Sequence, residues 1–113
     1  MKVIAVLAQK GGVGKSMLSR ALAVQALMDG RKAAIVDADP QGSTLKWGRR
    51  RKATAPAIVG GEDAAPVAEL LAELKGRGCT LAVIDTPPHS QPSINAAAMT
   101  ADLCLALQLQ LLK

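Results

Sequence analysis

Phenylalanine and tyrosine are absent from this sequence, and Trp47 is its single aromatic residue. Platforms on which nucleic-acid bases stack are therefore missing, which argues against a reader of single strands or of RNA. Cysteine is scarce too: Cys79 and Cys104 stand apart, without C-x-x-C spacing, so neither a disulfide framework nor a zinc site is indicated. Both read as small buried hydrophobes, and a reducing cytosol fits them. The N-terminus runs straight into a strand with no cleavable leader, and no apolar run is long enough to span a bilayer. The expectation is a soluble, cytoplasmic protein.

What is present is aliphatic. Half of the 113 residues are apolar, and that length reads as one domain over residues 1–113, able to bury roughly 65% of its unfolded surface. The net charge of +5 favours polyanionic partners, nucleotide included, without choosing among them.

Apolar runs without alternation read as parallel strands covered on both faces: Val3 to Ala8, Ala33 to Val36, Thr80 to Ile84 and Leu103 to Leu107. Ala57 to Val59 reads as a short edge strand. Between them, helical spacing runs over Met17 to Met28 and over Val67 to Lys75, stopped by Gly30 and Gly76. Met17, Ala21, Val24 and Met28 form an apolar stripe on the first helix. Ser43 reads as the N-cap of a helix over Thr44 to Lys52, and Ser93 to Met99 reads as helix. Strands alternating with helices predict an α/β fold with a mainly parallel sheet and right-handed βαβ units.

Lys10-Gly11-Gly12-Val13-Gly14-Lys15-Ser16 lies between the first strand and the first helix. A glycine-rich turn there lets backbone N–H groups converge on one point, to which the helix N-terminus adds partial positive charge. That point attracts phosphate. Lys15 can reach the outer phosphates and the Ser16 hydroxyl can ligate Mg²⁺. A dinucleotide-binding reading also fits Asp37, about 20 residues on. Against it, Met17 stands where a third glycine belongs, and such a loop has no use for Lys15 and Ser16.

In an open parallel sheet, the loops after the first, second and third long strands emerge at one edge. They would bring Asp37, Asp39 and Asp85 beside the phosphate loop, where a cation must separate carboxylate from phosphate. Mg²⁺ takes one or two carboxylates plus phosphate oxygen, and Asp85 is placed like a Walker B aspartate. Asp37 and Asp39 also suit a plain turn before a helix. His89 reads as a surface loop residue and Trp47 as a packing residue. Arg49-Arg50-Arg51-Lys52 reads either as a solvated helix end or as a nonspecific DNA phosphate contact.

K-G-G-V-G-K-S at 10–16, D-A-D-P-Q at 37–41 and D-T-P-P at 85–88 together resemble the ParA/MinD family of ATPases with a deviant Walker A loop. The resemblance runs from Met1 to about Leu107 and is nearest to short ParA-type plasmid or chromosome partition proteins. It implies a P-loop fold and Mg-ATP as cofactor, with nucleotide contacts from Gly11, Gly12, Val13, Gly14, Lys15, Ser16 and Met17. It further implies Lys10 acting across an ATP-dependent homodimer, Lys15 on the transferring phosphoryl charge, and Asp39 orienting the attacking water. Ser16 and Asp85 would hold the metal with Asp37 in support, and D-T-P-P would sense the γ-phosphate. A ParB-type partner protein and nonspecific DNA are the implied partners.

Members of the family continue well past Lys113, so the chain is expected to be a C-terminally truncated member. The alternative function is a non-catalytic paralogue that holds nucleotide, or pairs with a full-length relative, without hydrolysis. A membrane-binding tail like that of the MinD branch is not expected, since the terminal alternation is strand-like and short.

Overall fold

The computed structural model of the protein describes residues 1–8, 14–51, 55–61, 65–87 and 99–107. Its elements run β1 (Lys2–Ala8), α1 (Lys15–Met28), β2 (Ala33–Asp37), α2 (Ser43–Arg50), β3 (Ala57–Gly60), α3 (Val67–Gly76), β4 (Leu81–Asp85) and β5 (Leu103–Leu107). Among the described residues the strands form one sheet in the order β3-β2-β4-β1-β5, and every neighbouring pair is parallel. The expected α/β class holds, and the sheet is parallel throughout.

β2 and β4 are buried at every position, as suits strands covered on both faces. Their side chains alternate between two cores. Ala34, Val36, Ala82 and Ile84 meet Leu70, Leu71 and Leu74 of α3. Ala33, Ile35, Leu81 and Val83 meet Ala23 and Ala26 of α1, with Trp47 of α2 at the margin. Helices thus cover the two faces, giving three layers.

The chain leaves β1 towards β2 and β3, returns to β4 beside β1, and then passes to β5 on the far side. The reversal falls between β1 and β4, and in open α/β sheets ligands gather at the carboxyl end of such a switch point. Val6 of β1 stands level with Asp85 of β4, and Asp85 stands level with Asp37 of β2.

Three expectations change. The stripe of Met17, Ala21, Val24 and Met28 is not the inward face of α1. Met17 and Met28 are 72% and 77% exposed, while Lys15, Ser19, Ala23 and Ala26 are buried. Small side chains let the helix approach the sheet closely, and Met17, about 200° around the helix from Lys15, cannot share its face. Ser43 is the first helical residue of α2 rather than its cap; Gly42 caps it in the left-handed region at φ 65°. Cys79 is buried as expected but Cys104 is exposed, because β5 is an edge strand. The helix expected over Ser93 to Met99 falls outside the described residues except for its last position.

Candidate functional site

Gly14 holds φ 84° at the entry to α1, a left-handed turn that glycine adopts at no steric cost. It aims the first helical residue, Lys15, across the sheet edge. Lys15 is only 5% exposed, and its Nζ donates to Oδ1 of Asp85, the last residue of β4. Ser16 follows half-buried in the same first turn. Two residues 70 positions apart in the sequence thus form a buried ion pair.

Burying a lysine and an aspartate is costly unless each charge finds partners. The other oxygen of Asp85, Oδ2, accepts a hydrogen bond from the Thr44 hydroxyl at 2.7 Å. The Arg20 Nε in turn donates to that hydroxyl oxygen at 3.4 Å. The Asp85 main-chain carbonyl accepts the Ala38 N–H at 2.9 Å, joining β4 to the turn after β2. Thr86 donates its hydroxyl proton to the Val6 carbonyl at 2.8 Å, tying the loop after β4 back to β1. Among the described residues no buried side-chain polar atom lacks a partner.

The turn after β2 is built by its own acids. Asp37 Oδ1 accepts the Asp39 N–H at 3.1 Å and Oδ2 accepts the Leu45 N–H at 2.9 Å. The second bond satisfies a free donor in the first turn of α2, the task expected of Ser43. Burial pushes the Asp37 carboxyl above its ordinary value; the two N–H donors pull it back, and the charges of Asp85 and Asp39 push it up again. Asp39 is half-buried and accepts the Gln41 N–H at 3.0 Å. Gly60 holds φ 124°, and a Cβ there would lie 2.1 Å from the Asp37 carbonyl oxygen, so β3 closes on this turn only through a glycine.

Of the residues expected at the site, Gly14, Lys15, Ser16, Asp37, Asp39 and Asp85 come together at this edge. Met17 is exposed on the far side of α1. Lys10, Gly11, Gly12, Val13, Pro88, His89 and Lys52 lie outside the described residues. Thr44 and Arg20 are additions, since only the packing of α1 and α2 on the sheet brings them to Asp85 and no motif spacing marks them. Thr86, from the D-T-P-P motif, here ties its loop to β1. The oxygen donors of Ser16, Asp37 and Asp85 are of the hard kind that Mg²⁺ takes, so this donor set fits that ion.

The CobQ/CobB/MinD/ParA nucleotide binding domain matches residues 4–110. The chain belongs to this family. As a MinD/ParA-type domain it is 39% identical over 110 residues to Maintenance of carboxysome distribution protein A of Gloeobacter kilaueensis, covering 97% of this chain and 48% of the relative. The chain therefore spans about half the length of the curated relative it matches. Among solved structures it resembles apo McdA of Cyanthece, with a TM-score of 0.64 and 23% identity over 94% of this chain and 57% of the other. The BceF tyrosine kinase domain is similar at a TM-score of 0.53 and 18% identity, over 93% of this chain and 68% of that one. These two likenesses show the fold. Among the described residues no helix is long and apolar enough to cross a membrane.

On this MinD/ParA-type domain the basic cluster stands at the far end of α2. Arg49 and Arg50 are exposed, while Arg51 and Arg20 lie over the Trp47 ring, 4.6 and 5.1 Å from its centre. Trp47 packs at the margin of the core, as expected, and holds two guanidinium groups near its faces.

Proposed function

We propose that this chain is the nucleotide-binding part, one domain over residues 1–113, of a ParA-type Mg-ATPase that positions a cellular cargo. The observation that carries this reading is the buried meeting of Lys15 with Asp85 beside Asp37 and Asp39. A buried cation at a helix N-terminus, within reach of a strand-end carboxylate, suits a triphosphate held together with a metal ion. Lys15 stabilises charge on the transferring phosphoryl group, assisted by the N–H groups at the start of α1. Ser16 and Asp85 are the metal-holding residues, and Asp37 supports them from behind while its oxygens brace the turn. Mg²⁺ supplies charge neutralisation on the phosphates when bound. Asp39 orients the attacking water, and Lys10 acts across a nucleotide-dependent homodimer.

Plasmid or chromosome partition, with a ParB-type partner and nonspecific DNA contact through Arg49, Arg50, Arg51 and Lys52, is the cycle that the family resemblance implies. The name of the Gloeobacter relative adds the carboxysome as a second kind of cargo.

Titration calorimetry tests the site: ATP binds the wild type in the presence of Mg²⁺ and does not bind Lys15→Ala. Equal affinity in the two overturns the phosphate-loop assignment. Asp39→Ala keeps binding and loses turnover. A hydrolysis assay with and without DNA separates this reading from the non-catalytic alternative, which requires no turnover in either condition.

A further inference from the structure

We propose that Thr44 is a positioning residue for Asp85, fixing which oxygen that carboxylate presents to a metal-bound nucleotide. This rests on the ATPase reading of the site. Thr44 is fully buried in the first turn of α2, and its hydroxyl carries one proton and two acceptor lone pairs. The Arg20 Nε–H, 3.4 Å away, occupies a lone pair. The proton is thereby directed to Asp85 Oδ2, 2.7 Å away.

With Oδ2 held, the carboxylate plane cannot swing freely, and Oδ1 faces Lys15 at the start of α1. Lys15 is then the exchangeable partner and Thr44 the permanent one. If bound phosphate drew the Lys15 ammonium away, Oδ1 would be the Asp85 oxygen left to hold a cation. Hydrogen bonds of this kind behind a metal-holding carboxylate set its orientation, and their loss commonly lowers metal affinity 10- to 100-fold. Arg20 also lies over Trp47, so the donor that orients the hydroxyl is itself anchored by packing.

The test is a Mg²⁺ titration of the full chain at saturating ATP, read by calorimetry, beside ATP binding in a chelator and thermal unfolding. Thr44→Val keeps the volume and removes the hydroxyl; it is expected to weaken Mg²⁺ binding roughly 10- to 100-fold while leaving Mg²⁺-free ATP affinity within a few-fold of wild type. Thr44→Ser, which keeps the hydroxyl, restores Mg²⁺ affinity. A Thr44→Val protein whose Mg²⁺ affinity equals wild type overturns the proposal. So does one that loses ATP affinity equally with and without Mg²⁺, since a purely structural hydroxyl would do that. Should Thr44→Val not fold, Arg20→Met decides: it removes the orienting donor, and an unchanged Mg²⁺ affinity overturns the proposal. Wild-type protein that binds no ATP at all removes the ATPase reading, and the role of Thr44 with it; Mg²⁺-dependent binding that survives Thr44→Val removes the Thr44 role alone.

Discussion

The two ends of the sheet handle charge in opposite ways. At the carboxyl ends of β1, β2 and β4, Lys15, Asp37, Thr44, Asp85 and Thr86 are all buried and bonded to one another or to main chain. At the amino ends, Lys2, Arg31, Lys32 and Arg77 stand in solvent. There Lys32 donates to the Arg77 carbonyl, and Arg77 pairs with Glu73 while both remain about half exposed. Exposed pairs cost little and contribute little. A buried set must be satisfied member by member, and an apolar replacement is often at least as stable. Among the described residues such a set stands at the carboxyl ends of the strands, where ligands of open α/β sheets gather.

The largest break in that contrast comes from Lys15→Ala. Beyond the loss of ATP binding, it leaves Asp85 buried without its cation, an expected cost of about 3–5 kcal/mol in urea unfolding. A variant as stable as wild type would show that the pair contributes nothing to the fold. Gly60→Ala attacks the same end from behind. Its Cβ meets the Asp37 carbonyl at 2.1 Å in a φ 124° conformation, and about 3 kcal/mol is expected to be lost. An unmoved unfolding midpoint would mean that β3 shifts aside without strain.

Asp37→Asn sharpens the comparison, because an amide NH₂ must then face a main-chain N–H. About 1–3 kcal/mol of stability is expected to disappear at neutral pH. The pH dependence has a sign of its own. Burial raises the Asp37 pKa in the folded state above 3.8, so the native protein binds that proton more tightly than the unfolded chain. This contribution is present below 3.8 and is lost as pH rises through the folded value. Wild type should therefore gain on Asp37→Asn as pH falls towards 3.8, and a constant gap between them would refute the burial argument. The smallest effect belongs to the other end: Glu73→Ala should move stability by no more than about 0.5 kcal/mol, and a larger change would make the two ends less different than their burial implies.

Much of the fold was legible because strand burial and turn chemistry are local. Unalternating runs such as Ala33 to Val36 and Thr80 to Ile84 mark parallel strands whatever surrounds them. Asp37 and Asp85 end those runs, so their shared edge followed. The face of α1 was misread because two stripes compete on that helix. Hydrophobicity favours Met17 and Met28, whereas close approach to the sheet favours Ala23 and Ala26. The contact of Lys15 with Asp85 settles the rotation. Ser43 looked like a cap by residue type, yet the donor near it is met by Asp37, six positions earlier and reaching in from the end of a strand. Cys104 looked apolar enough for a core, but edge position outweighs side-chain type.

By itself the sequence determined the glycine turn before Lys15, the parallel strands and the acids at their ends, because spacing and hydrophobic pattern act over a few residues. Tertiary structure alone decided which oxygen meets which donor. Placing β4 between β1 and β2 sets Asp85 level with Asp37 and under Lys15, and it gives the Thr44 hydroxyl a buried carboxylate to hold. Hydrogen-bond geometry is set within tenths of an ångström, and only the packed sheet defines positions that finely.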